Sequence, residues 1–327
     1  MEALHKILAW FMSAVLSFVG LTSFRPEERA QSLRVTAYLI VNNAGDIETF
    51  DPSHLADLTD LILFGDLAYI DQEENVILCE NFERIMEKAK ALTEGLDVRL
   101  HLNLGASVPD MRTLHKQAFH SGKLVKNIKA VLETYGLDGV QFDYEFPFEW
   151  QAKYWFSRFL EQLDKTLGDD YMIGCALQPW CARFLPGAIR AIDMVELMCY
   201  DNWNEAGYHA PMENAKKDVQ DMLKLGYKRS QIDLGLPFYA RPTTGEAFWY
   251  DYANYHDKLD ENGLYPDSEK GLTFSFNTSA LIYEKTAWAV DTGLGGVMVW
   301  HYRCDLPKDN EASLFNAITR AKTDKMK

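Results

Sequence analysis

Two acids stand two places apart in the stretch 136–147, Gly-Leu-Asp-Gly-Val-Gln-Phe-Asp-Tyr-Glu-Phe-Pro. On an extended strand successive side chains alternate between faces, which sets Gln141, Asp143 and Glu145 on one side and Val140, Phe142 and Tyr144 on the other. Next-but-one residues on a strand lie about 6.6 to 6.8 Å apart at the backbone, so the two carboxyl groups can work on one substrate bond. In a partly dry site each opposes the other's ionisation, and one acid can then stay protonated as a proton donor. The competing reading is a half-exposed edge strand with solvated acids. The apolar opposite face, the stop at Pro147 and the Trp150 that follows count against it.

Acids on a strand need a scaffold that turns them toward a common space. From Arg34 onward the chain alternates strand and helix, the pattern of parallel strands. Strands are expected at 35–41, 61–69, 98–105, along the acid-bearing stretch, and at 171–177, 194–200, 232–239 and 295–300. Helices are expected at 81–93, as one long stretch over 111–135, at 279–291 and at 312–322. Eight strands alternating with helices count to a (β/α)8 TIM barrel, an α/β fold whose site residues gather where the strands end. A doubly wound open sheet is disfavoured, because no G-x-G-x-x-G follows the first strand. The connection 241–295 is longer than the others and holds the aromatic run 248–255.

The 327 residues are 47% hydrophobic and 13% aromatic, enough to bury one large core. A formal net charge of −15 argues against nucleic acid as a partner, since phosphate binding needs clustered Lys and Arg, and is compatible with an uncharged carbohydrate. Five cysteines at no regular spacing imply neither a disulfide framework nor a metal site, and the eight histidines form no ligand pattern, so no metal and no cofactor are expected. The apolar run 7–24 ahead of a charged stretch is about the length that spans a bilayer. It is read as an export signal or uncleaved anchor, giving a segment 1–30, a barrel domain 31–327 and an extracytoplasmic location. The competing reading is an amphipathic helix packed on the domain. Asn277-Thr278-Ser279 is a glycosylation sequon. Asp138, Asp201 and Asp305 each suit a backbone-capping role.

At the acid-bearing stretch the chain resembles glycoside hydrolase family 18, the chitinases and their relatives, whose signature is D-G-x-D-x-D-x-E. Asp138, Asp143 and Glu145 match, and Gln141 stands where the family has an acid. The likeness continues in Leu-Gly-Leu-Pro-Phe-Tyr-Ala-Arg at 234–241, Met-Cys-Tyr-Asp at 198–201, Gly-Val-Met-Val-Trp at 296–300 and, more loosely, Leu-Asn-Leu-Gly-Ala at 102–106. It covers about residues 35–305. The resemblance implies hydrolysis of a β-1,4 bond next to N-acetylglucosamine, with retention and with the substrate's acetamido oxygen as nucleophile. Glu145 would be the general acid and then base, Asp143 the stabiliser of the oxazolinium ion, and Tyr200 the donor to the acetamido carbonyl. Asp201 and Tyr239 would contact sugar hydroxyls, with Trp300 as the floor beneath the ring; Gln178, Trp203 and Arg241 complete the expected sugar contacts. Gln141, counted with them, is expected to donate to Asp143 and to let it ionise more readily. The connection after strand seven is too short for the family's full α+β subdomain, so a shallower cleft is expected. An N-acetylglucosamine-containing glycan is the implied partner of a monomer. Sister readings are an endo-β-N-acetylglucosaminidase on N-glycans and a hydrolase of peptidoglycan or spore cortex. A chitinase-like carbohydrate-binding protein without catalysis is the reading from another class, and the acid at Glu145 weighs against it.

Overall fold

A computed structural model describes residues 33–106, 110–145 and 147–326. The apolar run at 7–24 lies outside the described residues. Strands are numbered in chain order: β1 (Arg34–Ile40), β2 (Asp60–Phe64), β3 (Ala68–Ile70), β4 (Val76–Leu78), β5 (Arg99–Ala106), β6 (Gly139–Phe142) and β7 (Met172–Leu177). They continue with β8 (Met194–Leu197), β9 (Ile232–Pro237), β10 (Tyr239–Pro242), β11 (Tyr250–Asp251), β12 (Leu264–Asp267), β13 (Leu272–Ser275) and β14 (Gly296–Trp300). The parallel ladder β1, β2, β5, β6, β7, β8, β9, β14 returns from β14 to β1 and so closes a barrel. Its strands read as near-continuous Val, Ile and Leu, because both faces are covered. β1, Arg-Val-Thr-Ala-Tyr-Leu-Ile, is buried at its five central positions. The outer helices cover the barrel with one apolar stripe each. Helix Phe82–Thr93 buries Phe82, Ile85, Met86, Ala89 and Thr93, a three-and-four spacing that fits a single face.

The barrel matches the fold expected from the sequence, and four local expectations are corrected. The second strand ends at Phe64; Gly65 takes φ 131°, and a side chain there would meet the Val41 carbonyl. The chain resumes as β3, parallel to β5 and antiparallel to β4, so a short hairpin replaces the continuous run 61–69. The helical stretch 111–135 is two helices, Met111–Ser121 and Lys123–Tyr135, parted at Gly122 in the left-handed region with φ 63°. The fourth strand stops at Phe142, its last residue paired with β5 and β7, so Asp143 and Glu145 stand beyond the ladder. The sixth and seventh strands likewise stop at Leu197 and Pro237, before the expected Tyr200 and Tyr239.

After β9 the chain makes a four-stranded antiparallel sheet in the order β11-β10-β13-β12, then helix Ser279–Thr292. It holds no α-helix of its own, in keeping with the short insertion expected. Its core is aromatic: Tyr250 stacks on Phe274 at 4.1 Å and on Tyr255 at 4.3 Å. Asn277 is buried, with its amide donating to the His209 carbonyl and its oxygen accepting from the buried Lys285 ammonium, so the sequon presents no free acceptor side chain.

The inside of the barrel is polar toward its N-terminal end. Asp233 accepts from Arg34 at 2.6 Å and from Thr36 at 3.0 Å. Asp60 accepts from Arg99 and His101, and those donors hold its carboxyl well below the usual range despite burial. Asp138 accepts from the Leu100 amide at 2.8 Å, and Asp305 from the amides of Leu314 and Phe315, so both serve the backbone. All five cysteines are free.

Candidate active site

The strand ends bring Asp143, Glu145, Tyr200, Asp201, Tyr239, Arg241 and Trp300 around one cavity of about 200 Å³. Asp143, Glu145, Tyr200 and Asp201 lie just past the ends of β6 and β8, where residues point into the barrel mouth, while Trp300 ends β14 and Tyr239 and Arg241 come from β10. Asp143 is mostly buried, whereas Glu145 opens to solvent. Burial, and then the neighbouring Glu145 carboxyl, raise Asp143 to about 8. Burial also raises Glu145, with the Asp201 charge adding to it and a hydrogen bond shared with Asp143 opposing it. The pair therefore holds a proton through the neutral range.

Across the cavity Asp201 is locked. The chain turns there through φ 54°, and the carboxylate accepts from Tyr239 Oη at 2.7 Å and from both Nε and Nη2 of Arg241 at 2.7 and 2.8 Å. His209, whose Nε2 accepts from the Asp201 amide, supports the turn from behind. These bonds outweigh burial and keep Asp201 ionised far below the usual carboxylate range. Tyr200 is buried beneath, its ring edge-on to Tyr239 at 6.1 Å, and burial pushes its phenol well up, so it remains a donor. Trp300 forms a half-buried wall held by Tyr38 at 5.1 Å and Phe64 at 5.0 Å.

Three expected site residues fall elsewhere. Gln141 is fully buried; its Oε1 accepts from Asn103 and its Nε2 donates to the Phe142 carbonyl at 3.1 Å. It neither lines the cavity nor bonds to Asp143; the Phe142 carbonyl and Asn103 take the two ends of its amide. Asp143 is not made easier to ionise; burial governs it. Gln178 accepts from the Trp180 indole, and the Trp203 indole donates to the Pro242 carbonyl at 2.9 Å; neither lines the cavity.

The structure adds Tyr38, Ala176, Met198 and Trp249 to the lining. Trp249 stacks flat on Tyr239 at 4.3 Å and donates its indole N–H to Asp251. The aromatic run 248–255 signalled a cleft wall, but nothing in its spacing separates Trp249 from Tyr250, which faces into the small sheet. A second cavity of about 660 Å³ shares Asp143 and Glu145 and extends past Tyr144, Arg112 and Phe148. Phe148 and Trp180 stack at 5.4 Å.

A closed parallel barrel with an acid pair at the end of its fourth barrel strand defines the class, and sequence comparison supplies the family. The profile of Glycosyl hydrolases family 18 matches residues 13–305, and the chain belongs to that family. Endochitinase 1 of Metarhizium anisopliae is 24% identical over 233 residues, 55% of each chain. Probable chitinase 2 of Drosophila melanogaster is 27% identical over 141 residues, 37% of this chain and 29% of the fly protein. The chain thus spans about half or less of the length of these relatives. Among solved structures, a chitinase from Flavobacterium johnsoniae superposes with a TM-score of 0.71 at 22% identity, over 90% of this chain and 94% of that one. An N-acetylglucosaminidase of the same family from Paenibacillus barengoltzii superposes with 0.67 at 19% identity, over 89% and 100%.

Proposed function

We propose that the chain hydrolyses the β-1,4 bond next to an N-acetylglucosamine in chitin or its oligomers, with retention of configuration. The observation that carries this reading is the proton-holding pair Asp143 and Glu145 facing Tyr200, Trp300 and the Asp201 clamp across one cavity. Ordinary retention needs a free carboxylate opposite the acid. Among the lining residues the remaining carboxylate, Asp201, is committed to Tyr239 and Arg241. Membership of family 18 implies the substrate-assisted route, in which the substrate's own acetamido oxygen is the nucleophile.

Glu145 donates its proton to the leaving oxygen as the glycosidic bond breaks and the acetamido oxygen closes on the anomeric carbon. Asp143, ionised at that point, accepts from the acetamido N–H and offsets the positive charge of the oxazolinium ring. Tyr200 donates to the acetamido oxygen and holds it in attack geometry. Glu145, now a carboxylate, takes a proton from water, whose oxygen opens the ring and restores the β-anomer. Trp300 and the Trp249–Tyr239 stack give the sugar ring apolar faces, and Arg241 and Asp201 reach its hydroxyls.

Product sizes and first-formed anomer from chitin oligomers, peptidoglycan and a high-mannose glycopeptide, assayed side by side, test the reading. Cleavage of chitin oligomers to β-anomers is expected; cleavage of none of the three, or first-formed α-anomers, would refute it.

A further inference from the structure

Trp249 reaches the cavity from the residue just ahead of β11 and is half-buried there. A strand of two residues does not fix the ring, so its neighbours have to. The indole lies nearly parallel to Tyr239 at 4.3 Å and stacks also on His301 at 5.5 Å. Its N–H donates to Asp251 Oδ1. The same oxygen accepts from Cys304 Sγ at 3.3 Å, and that sulfur lies 3.4 Å from His301 Nε2. His301 Nδ1 accepts from the Arg303 amide at 3.3 Å, which fixes the tautomer: the proton of the neutral ring is on Nε2 and points to Cys304 Sγ. Burial lowers His301 to about 4 and pushes the Cys304 thiol up, so the ring is neutral and the sulfur keeps an S–H to donate to Asp251. Each donor in the row thus has an acceptor. His301 follows Trp300, the last residue of β14, and Cys304 ends the short 3-10 turn Tyr302–Cys304. Asp251 pairs with Tyr239 across β10 and β11. The row therefore ties Trp249, from the segment after β9, to the strand end that carries Trp300.

We propose that Asp251, Cys304 and His301 are positioning residues that hold the Trp249 ring in the sugar-binding wall, with Asp251 as its direct anchor. A sugar gains from an aromatic face that is already in place; a ring free to turn has to be ordered during binding, at a cost in affinity. None of the three lines the cavity, so they act on the substrate only through Trp249. Asp143 and Glu145 follow the end of β6, away from this bracket, and proton transfer there does not depend on it. The bracket therefore governs how well the sugar is held and leaves the chemical step alone. This rests on the reading of the cavity as the sugar site in the proposed reaction.

Two measurements test it on the full chain: indole N–H resonances by NMR without substrate, and steady-state kinetics on a chromogenic chitobioside. Trp249→Phe assigns the Trp249 resonance. In the wild type that resonance is expected downfield of a free indole and slow to exchange with water, and Asp251→Ala should return it to the free position. Asp251→Ala should raise KM about fivefold with kcat within about twofold, while Cys304→Ala should raise KM about twofold. Cys304→Ser, which keeps both a donor and an acceptor, should stay near wild type. In a Trp249→Ala background Asp251→Ala should add nothing further to KM, because the ring it anchors is gone. A wild-type Trp249 resonance at the free-indole position overturns the proposal. So does a rise in KM that persists in the Trp249→Ala background, or a fall in kcat with KM unchanged. Should Asp251→Ala fail to fold, the wild-type resonance and Cys304→Ala against Cys304→Ser decide. A wild type that cleaves no N-acetylglucosaminide sinks the functional reading alone, because the indole resonances still judge the bracket.

Discussion

In the proposed reaction turnover depends on Glu145, which pairs solvent access at the cavity with a carboxyl raised above its usual range. Glu145→Gln keeps the shape and removes the transferable proton. It should lower kcat by about 100- to 10,000-fold while leaving oligosaccharide affinity within a fewfold, read by chromophore release and by calorimetry. The same raised acid fixes the sign of the pH profile: activity needs Glu145 protonated, so kcat should fall as pH rises through its elevated pKa, a limb above the ordinary carboxylate range. A basic limb lying near pH 4.5 would contradict the assignment. The acid pair was legible in the sequence because D-x-E on an apolar strand is a spacing. The role of Gln141 was not, because which way an amide turns depends on neighbours such as Asn103, 38 residues away in the chain.

At the scale of elements, the short sheet after β9 presents Trp249 and the helix behind it presents Lys285. Trp249→Ala removes the flat stack on Tyr239 and the face opposite Trp300; KM for chitooligosaccharides should rise by about tenfold with a smaller change in kcat, measured by steady-state kinetics. Lys285 donates to the Ala210 carbonyl and to Asn277, tying the helix Ser279–Thr292 to the turn that carries His209 and supports Asp201. Burial lowers Lys285 from 10.5 to about 8. Between those values the unfolded chain binds more protons than the native one, so stability must rise with pH there. Against a Lys285→Met variant, the wild type should gain about 3 kcal/mol between pH 8 and 10.5 in denaturant unfolding. A flat difference would mean that Lys285 is not desolvated. Helix Phe82–Thr93 was readable from its apolar spacing, and so was the strand–helix alternation. The hairpin β3–β4 and the sheet after β9 were not, since a short antiparallel excursion has the same composition as the strand it interrupts, and only Gly65 marks the first of them.

The molecule as a whole is strongly acidic, with a formal net charge of −15, and the substrate proposed for its candidate site is a neutral sugar. Long-range charge therefore has nothing to act on when the substrate is fully acetylated chitin. Partially deacetylated chains are polycations, and a negative surface attracts them before any sugar reaches the site. The acetamido group still has to sit over Asp143 and Tyr200 for chemistry, so attraction adds encounters and leaves the cleavage rule unchanged. Raising sodium chloride from 0.05 to 0.5 M shortens the Debye length from about 14 to 4 Å and should lower kcat/KM on partially deacetylated chitin several-fold. On a fully acetylated oligomer the same change should leave kcat/KM nearly constant. If both substrates respond equally, salt acts on the protein itself and the acidic surface plays no part in substrate capture.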